Sequence, residues 1–316
     1  MTRTLSLLTP SGRLTLGNLL GALRPMSEHQ ADAFYGLSDL HAMTTEHDPR
    51  LLRSYADETA TLFLAVGLDR ATLFRQSQVP AHAQLAYLLE CVATTGELNR
   101  MIQFKEKGRG VDSTRVSLFT YPALMAADIP LYRPAQVPVG ADQRQHVELT
   151  RDLALRFNRR YGEVFTVPEV VTASDGTARV MDLLHPTRKM SKSADAAGSV
   201  CLLDPPDVVR RKIARAVTDS DTGDSTVRRS PDKPGVTNLL DLLEAFGGSA
   251  EGVTTYGALK RAVTDAVVAT LEPIQKRYAD LAADPVHVTQ VFAAGAARCR
   301  QVTAPVLAAA STAIGL

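Results

Sequence analysis

The sequence contains no tryptophan and only three cysteines in 316 residues. Cys91, Cys201 and Cys299 lie far apart and match no metal-ligand spacing, so neither a protein-held metal nor a disulfide framework is expected. Scarce thiols of this kind fit a reduced compartment. An excess of one charge is also missing: Lys plus Arg number 35 against 34 Asp plus Glu, a net +1. No global field can recruit a polyanion, and any nucleic-acid site has to be a local patch. No apolar run reaches membrane-spanning length. Leu5-Ser6-Leu7-Leu8, after Arg3 and before Pro10, is too short for the apolar region of a secretory signal. A soluble, cytoplasmic protein without a membrane partner is the expectation. Internal repeats are absent, as is low-complexity sequence beyond an alanine-rich C-terminal helix. What is present is ordinary globular composition, 45% hydrophobic. The chain is long enough for two domains, or for one large domain with an appendage.

The most informative stretch is Lys189-Met190-Ser191-Lys192-Ser193. Two ammonium groups and two hydroxyls follow the turn His185-Pro186-Thr187, with Arg188 as a third cation, and nothing here can form a core. Lysine is a compact point charge on a flexible stem, so two of them can follow phosphates that move during a reaction. The alternative is a solvated basic turn.

From the start of the chain, Thr4–Leu8 reads as a buried first strand. Thr9-Pro10-Ser11-Gly12 turns the chain, and Thr15-Leu16-Gly17-Asn18 opens a helix through Leu19-Leu20-Gly21-Ala22-Leu23. A strand feeding through glycine into a helix N-terminus suits an anion, because free N–H groups and the helix dipole face it. Gly17 lets a nucleotide lie against the backbone, and Asn18 can donate to a phosphate oxygen. A plain turn with a helix cap is the alternative. Residues 33–38 and 71–76 read as strands, 48–66 and 80–93 as helices. This alternation implies a parallel sheet flanked by helices. The ligand then sits beyond the carboxyl ends of the strands, near Ser11 and His41.

Residues 103–110 read as a polar loop punctuated by glycine. A helix over 121–128 puts Tyr121, Met125 and Asp128 on one face. Burying an unpaired aspartate costs roughly several kcal/mol. That face therefore lines a pocket for a flat apolar ligand with a single N–H, or Asp128 caps or pairs locally. A strand at 136–139 leads into Gly140-Ala141-Asp142-Gln143 and a helix over 144–158. Gly140 again lets a nucleotide approach, and Asp142 can accept from ribose hydroxyls. Short strands at 164–171 and 178–181 lead back to the lysine loop. Beyond Asp195 helical periods dominate, over 206–217, 238–246, 256–283 and 288–314. Arg210, Arg211, Lys212, Arg215, Arg228, Arg229 and Lys233 make this half locally basic. With the lysine loop beside them, they favour a phosphate-backbone contact surface over a merely solvated face.

The turn at 15–18, the turn at 140–143 and the loop at 189–193 occur in this order. Together they resemble the class I aminoacyl-tRNA synthetases of the tyrosine and tryptophan subclass, in its bacterial tryptophanyl form. The loop is similar to the KMSKS signature of that class, and Thr15-Leu16-Gly17-Asn18 takes the place of its HIGH tetrapeptide. The likeness runs through nearly the whole chain. It includes Val79-Pro80-Ala81-His82-Ala83-Gln84, residues 121–128, Ala216-Val217-Thr218-Asp219-Ser220 and Lys233-Pro234-Gly235. It implies an α/β fold with a Rossmann-type parallel-sheet catalytic domain over 1–195 and a mostly helical, anticodon-binding domain over 196–290. A C-terminal helix over 291–316 would pack back toward the catalytic domain, and the assembly would be a homodimer.

Position by position, the resemblance implies that Thr9, Pro10, Ser11, Gly17 and Asn18 hold ATP. Gly140, Ala141 and Asp142 would lie at the ribose, and Val180 would meet the adenine through its backbone. Lys189, Met190, Ser191, Lys192 and Ser193 would close over the phosphates, which Lys107 would reach from the 103–110 loop. Asp128 would accept the indole N–H, while Tyr121 and Gln143 would hold the substrate ammonium. Leu5, His41, Gln103, Met125, Val137 and Val139 would line the pocket. The implied reaction joins L-tryptophan and ATP into tryptophanyl-adenylate and passes the acyl group to tRNA(Trp). The attacking carboxylate is already ionised, so catalysis would be positioning plus charge stabilisation by Lys107, Lys189, Lys192 and Mg2+. Phenylalanine would be strongly rejected, because it leaves Asp128 unpaired. The absence of tryptophan would spare such an enzyme from depending on its own product.

Some positions depart from the family pattern. Phe-Ser-Gly is usual on the first strand, and Gln before Pro-Ser-Gly. Leu5-Ser6-Leu7 and Thr9 stand there instead, and Ala141 replaces an often acidic residue. Leu5 and Thr9 border the amino-acid pocket, which leads to the expectation of a divergent, auxiliary copy with an altered response to tryptophan-mimicking inhibitors. A tyrosyl enzyme is the nearest rival, but it usually carries Gln in place of Met125 and Tyr in place of Leu5. A non-catalytic paralogue that binds tRNA or a protein would not need Lys107, Lys189 and Lys192. The long basic helical half disfavours a nucleotidylyltransferase acting on a small cofactor.

Overall fold

A computed structural model describes residues 3–107, 113–134, 136–139, 144–172, 180–191, 197–221 and 226–316. Strands β1 (Thr4–Leu8), β2 (Ala33–Leu37) and β3 (Thr72–Arg75) form a parallel sheet in that order. Leu5 stands opposite Phe34, and Leu37 opposite Arg75. Every residue of β2 is buried, as a central parallel strand covered on both faces requires. In β1 only Leu5 is fully buried, so the first strand is half-buried rather than buried throughout; it lies at the edge of this three-stranded ladder. Strands β4 (Gln136–Val139) and β5 (Glu169–Thr172) pair in parallel as a second unit, and β4 approaches β1. The strand expected at 164–171 begins only at Glu169. Asn158 holds the preceding residues out of the ladder, its Oδ1 accepting from the Val164 and Phe165 N–H groups at 3.1 and 2.9 Å.

Helices fill the crossovers. α1 (Leu16–Asn18) runs through a π-helical turn, Leu19–Leu23, into α2 (Arg24–Glu28). After β2 come α3 (Asp39–Ala42) and α4 (Pro49–Ala65); Asp48 caps α4 by accepting from the Arg50 and Leu51 N–H groups. Between β3 and β4 the described residues include α5 (Ala81–Glu90), α6 (Thr95–Leu98), α7 (Ile102–Lys107) and α8 (Val116–Tyr132). α7 stands where a loop was expected. Gln, Lys and Glu are good helix formers, and Gln145 Oε1 accepts the Ile102 N–H at 3.1 Å. α9 (Arg144–Tyr161) joins β4 to β5. The remainder is α10 (Pro206–Ala214), α11 (Pro234–Ala245), α12 (Tyr256–Ala282) and α13 (Pro285–Ile314). α11 starts four residues before the apolar pattern does, because Pro234 is preorganised for a first helical turn.

Two apolar clusters form the core. One joins Leu16, Leu23 and Phe63 to Val209, Leu239, Val263 and Phe292, from both sides of position 195. The other gathers Phe34, Phe74, Leu85, Ile129, Phe157 and Cys299. α13 returns across β3, and a Cβ on Gly295 would stand 1.7 Å from the Leu73 carbonyl oxygen. Only glycine permits that backbone approach. Among the described residues no helix is long and apolar enough to cross a membrane.

Candidate active site

α8 packs against α5 and α9, and this buries Asp128 to 2% exposure. The aspartate is not the lone acid expected. Oδ1 accepts from Gln76 Nε2 at 2.7 Å and His82 Nδ1 at 2.6 Å, and Oδ2 accepts from His41 Nε2 at 2.9 Å. Nor is the pairing local: Gln76 follows β3, His82 sits on α5 and His41 on α3. Burial alone would raise the carboxyl's pKa, but hydrogen bonds from His41 and His82 outweigh it and hold the group at about 2. Asp128 is therefore a buried anion. A carboxylate oxygen has two lone pairs. With two donors on Oδ1 and one on Oδ2, it is Oδ2 that can accept a further N–H.

Tyr121 lies on the same helix face, as the spacing predicts, and is buried. Its hydroxyl is hydrogen-bonded to His146 Nε2 at 2.6 Å, and burial pushes its pKa up to about 12. It thus stays a neutral phenol. The His41 ring meets Tyr121 edge-on, with centroids 6.2 Å apart, and Met125 is half-buried one turn along. Leu5 is buried in the cluster that includes Phe34 and Ile129. His41, Tyr121, Met125 and Asp128 are thus brought together beyond the carboxyl end of β2. From the sequence alone no role falls to Gln76, His82 or His146. For Gln76 and His82 the available signal is the rule that a buried aspartate needs donors, applied to polar residues in apolar surroundings such as Val79-Pro80-Ala81-His82.

Of the expected nucleotide residues, Thr9, Pro10 and Ser11 follow the end of β1. Thr9 Oγ1 is hydrogen-bonded to Ser38 Oγ at 2.8 Å, which ties the end of β1 to the end of β2. Pro10 is buried and Ser11 exposed. A Cβ on Gly17 would meet Thr15 Oγ1 at 3.6 Å and Val180 Cβ at 3.8 Å, both ordinary contacts. Internal packing does not demand glycine there, and Gly17 and Val180 are neighbours. Asn18 Oδ1 turns back to accept the Thr15 N–H at 3.0 Å, a helix cap that leaves its amide nitrogen as the donor expected for a phosphate.

Val180 and Met190 are buried, and the Met190 N–H donates to the Val180 carbonyl at 3.1 Å. Met181 bridges antiparallel to Lys189, whose side chain is exposed, as is Ser191. That bridge is the described remnant of the strand expected at 178–181. From α11, Asn238 grips Met181 on both sides: its Oδ1 accepts the Met181 N–H and its Nδ2 donates to the Met181 carbonyl, each at 3.0 Å. Gly140, Ala141, Asp142, Gln143, Lys192 and Ser193 lie outside the described residues. Gln103 and Lys107 fall on α7, and Val137 and Val139 on β4; their side chains also lie outside the description.

Part of the basic half is neutralised within the fold. Lys233 is buried and donates to Asp219 at 2.7 Å, Asp221 at 2.5 Å and the Tyr256 hydroxyl at 3.0 Å. Burial would lower its pKa, but the bonds to Asp219 and Asp221 raise it above the ordinary lysine range. Lys212 pairs with Asp204, Arg229 with Asp241 and Glu244, and Arg211 with Asp207. Lys233 and Lys212 are thus committed to carboxylates of the fold, whereas Arg229 and Arg211 pair at the surface and stay about half or more exposed. Arg210 and Arg215 are exposed.

Comparison with known proteins identifies the family. The family model for class I tRNA synthetases (W and Y) matches residues 2–274. Tryptophan–tRNA ligase 1 of Streptomyces avermitilis is 51% identical over a 332-residue alignment that covers 100% of this chain and 99% of that protein. A tryptophanyl-tRNA synthetase crystal structure from Mycoplasma pneumoniae superposes with a TM-score of 0.88 at 37% identity, covering 100% and 98% of the two chains. Another from Campylobacter jejuni, complexed with ADP and tryptophane, gives 0.85 at 30% identity, covering 99% and 100%. With a family match over most of its length and relatives aligned end to end, this chain belongs to the class I tRNA synthetases of the tryptophan and tyrosine group.

Proposed function

We propose that the chain is a tryptophan–tRNA ligase, which activates L-tryptophan with ATP and transfers it to the cognate tRNA. The observation that carries this reading is Asp128, a buried carboxylate held ionised beside His41, Tyr121 and Met125. Its Oδ2 is the natural acceptor for an indole N–H. Met125, where a tyrosyl enzyme usually carries a polar glutamine, favours the indole over a phenol. The tryptophan names of relatives that match end to end support the same substrate.

In the first step a carboxylate oxygen of tryptophan bonds to the α-phosphorus of ATP. The bond from that phosphorus to the bridging oxygen breaks, and pyrophosphate leaves. In the second, a hydroxyl of the terminal tRNA ribose attacks the acyl carbon and AMP departs. Neither step needs an activated side-chain nucleophile. The protein supplies orientation and charge. Lys189, presented by the 181–190 hairpin, acts on the phosphates with Lys192 and Lys107, while Gly17, Asn18 and Val180 hold the nucleotide. Gly140, Ala141, Asp142 and Gln143 complete the ribose and ammonium contacts. Mg2+ is expected to arrive with the ATP phosphates. Among the described residues no group of three or more His, Cys, Asp or Glu side chains could hold a metal ion. Residues 1–195 would hold the catalytic site and 196–290 the anticodon contacts, in a cytoplasmic homodimer.

Amino-acid-dependent exchange of pyrophosphate into ATP tests the reading. Tryptophan should support exchange, and tyrosine and phenylalanine should not. Exchange with tyrosine alone, or with none of the three, would overturn it.

A further inference from the structure

Asp128 does not stand at the end of its hydrogen-bond network. His82, fully buried on α5, donates from Nδ1 to Oδ1 at 2.6 Å, and its Nε2 lies 2.9 Å from the Tyr132 hydroxyl. A carboxylate only accepts, so Nδ1 carries a proton and donates to Oδ1, while Nε2 is hydrogen-bonded to the Tyr132 hydroxyl. Burial pushes the Tyr132 phenol far above its usual range and the Cys299 thiol up to about 12, and the two groups are hydrogen-bonded to each other. Both remain protonated, and a buried network connects Cys299 on α13, Tyr132 at the end of α8 and His82 to Oδ1 of Asp128. Gln76 adds a second donor to the same oxygen.

We propose that His82 is a positioning residue for amino-acid selection: it pins Oδ1 of Asp128 so that Oδ2 faces the pocket as the acceptor of the substrate N–H. The proposal deepens the reading of Asp128 given above and rests on it. His82 itself touches no substrate. Its imidazole is locked by ring packing, stacked on Phe74 at 5.9 Å and tilted against Tyr132 at 5.6 Å. The direction of its N–H is therefore set by the fold rather than by the ligand. Without that donor the carboxylate keeps its burial but loses one of the two contacts that fix Oδ1. It then turns toward Gln76 or takes a proton. Either response weakens recognition of an N–H and leaves the rest of the indole contact intact.

The test compares tryptophan with its isostere in which sulfur replaces the ring N–H, 3-benzothienylalanine. For the full-length protein, kcat and KM in pyrophosphate exchange are measured for each substrate and for ATP. The variants are His82→Ala, His82→Asn, His82→Gln and Asp128→Asn. Asparagine places an amide N–H where Nδ1 stood. Glutamine reaches the Tyr132 end and withdraws the donor from Oδ1. His82→Ala and His82→Gln should raise KM for tryptophan about tenfold or more and shrink the preference for tryptophan over the isostere by a similar factor. His82→Asn should restore most of that preference, and KM for ATP should stay within about twofold throughout.

Equal loss on both amino acids, with KM for ATP rising in parallel, would reduce His82 to a structural role and overturn the proposal. If the alanine variant does not fold, the asparagine and glutamine variants decide: equal preferences in the two refute it. Asp128→Asn separates the two claims. If it keeps the wild-type preference, the reading of Asp128 itself fails. If it loses the preference while His82→Gln keeps it, only the role of His82 falls.

Discussion

Asp128 shows how much one side chain can reveal and conceal. An acid on an otherwise apolar helix face points to a site, because a buried carboxylate without donors is too unfavourable to persist. Which donors it finds is invisible along the chain, since His41, Gln76 and His82 are 87, 52 and 46 residues away. Its titration gives a prediction at this scale. The folded pKa, about 2, lies below the value of about 3.9 expected for an unfolded aspartate. The ionised form therefore stabilises the fold at pH above about 5, and that contribution is lost as pH falls through about 2. Replacing Asp128 with Asn should destabilise the protein by about 1–3 kcal/mol near neutrality. In denaturation curves taken at a series of pH values, the wild-type advantage should shrink steadily below about pH 4. An advantage independent of pH would contradict the ionised assignment.

At the scale of elements, the lysine loop is an example of a motif legible in sequence whose support is not. Lys189 and Met190 are read directly from their order. What holds them is the hairpin in which Met181 bridges Lys189, and the two hydrogen bonds from Asn238 on α11. Asn238 lies 57 residues beyond Met181, in a helix read from its apolar pattern alone. Its side chain saturates the Met181 backbone as a neighbouring strand would. Asn238→Ala should loosen the hairpin that carries Lys189. In pyrophosphate exchange KM for ATP should rise about tenfold, the equivalent of one or two hydrogen bonds, with KM for tryptophan changed less than about twofold. A change confined to tryptophan would refute the coupling. The loop expected at 103–110 teaches the converse: glycine punctuation obscured helix α7, which is fixed from outside by Gln145 on α9.

At the scale of the whole molecule, an absence becomes a tool. The chain has no tryptophan, so excitation at the red edge of indole absorption sees only the ligand. Bound tryptophan, moved from water to the site beside Asp128, should show blue-shifted emission that saturates on titration with protein. The Asp128→Asn variant should need about tenfold more protein for the same change. An emission spectrum identical to that of free tryptophan at saturation would place the ligand outside a buried pocket. The basic half belongs to this scale too. Seven cations read as a phosphate surface, yet Lys233, Lys212, Arg229 and Arg211 each face carboxylates. Apart from Arg211, whose partner Asp207 lies one helical turn away, these partners are well beyond a helical turn along the chain, and counting charge does not identify them.

By itself the sequence determined what is local or ordered: alternation of strand and helix, hence the parallel sheet; the order of the glycine turns and the lysine loop; and a helix face bearing Tyr121, Met125 and Asp128. These depend on side-chain period and on steric rules that act within a few residues. Only the tertiary structure decided which donors meet each oxygen of Asp128, how Asn238 supports Met181 and which cations pair with carboxylates. Most of those pairs join groups many residues apart meeting at hydrogen-bond distance, and only the packing of the helices on the sheet brings them there.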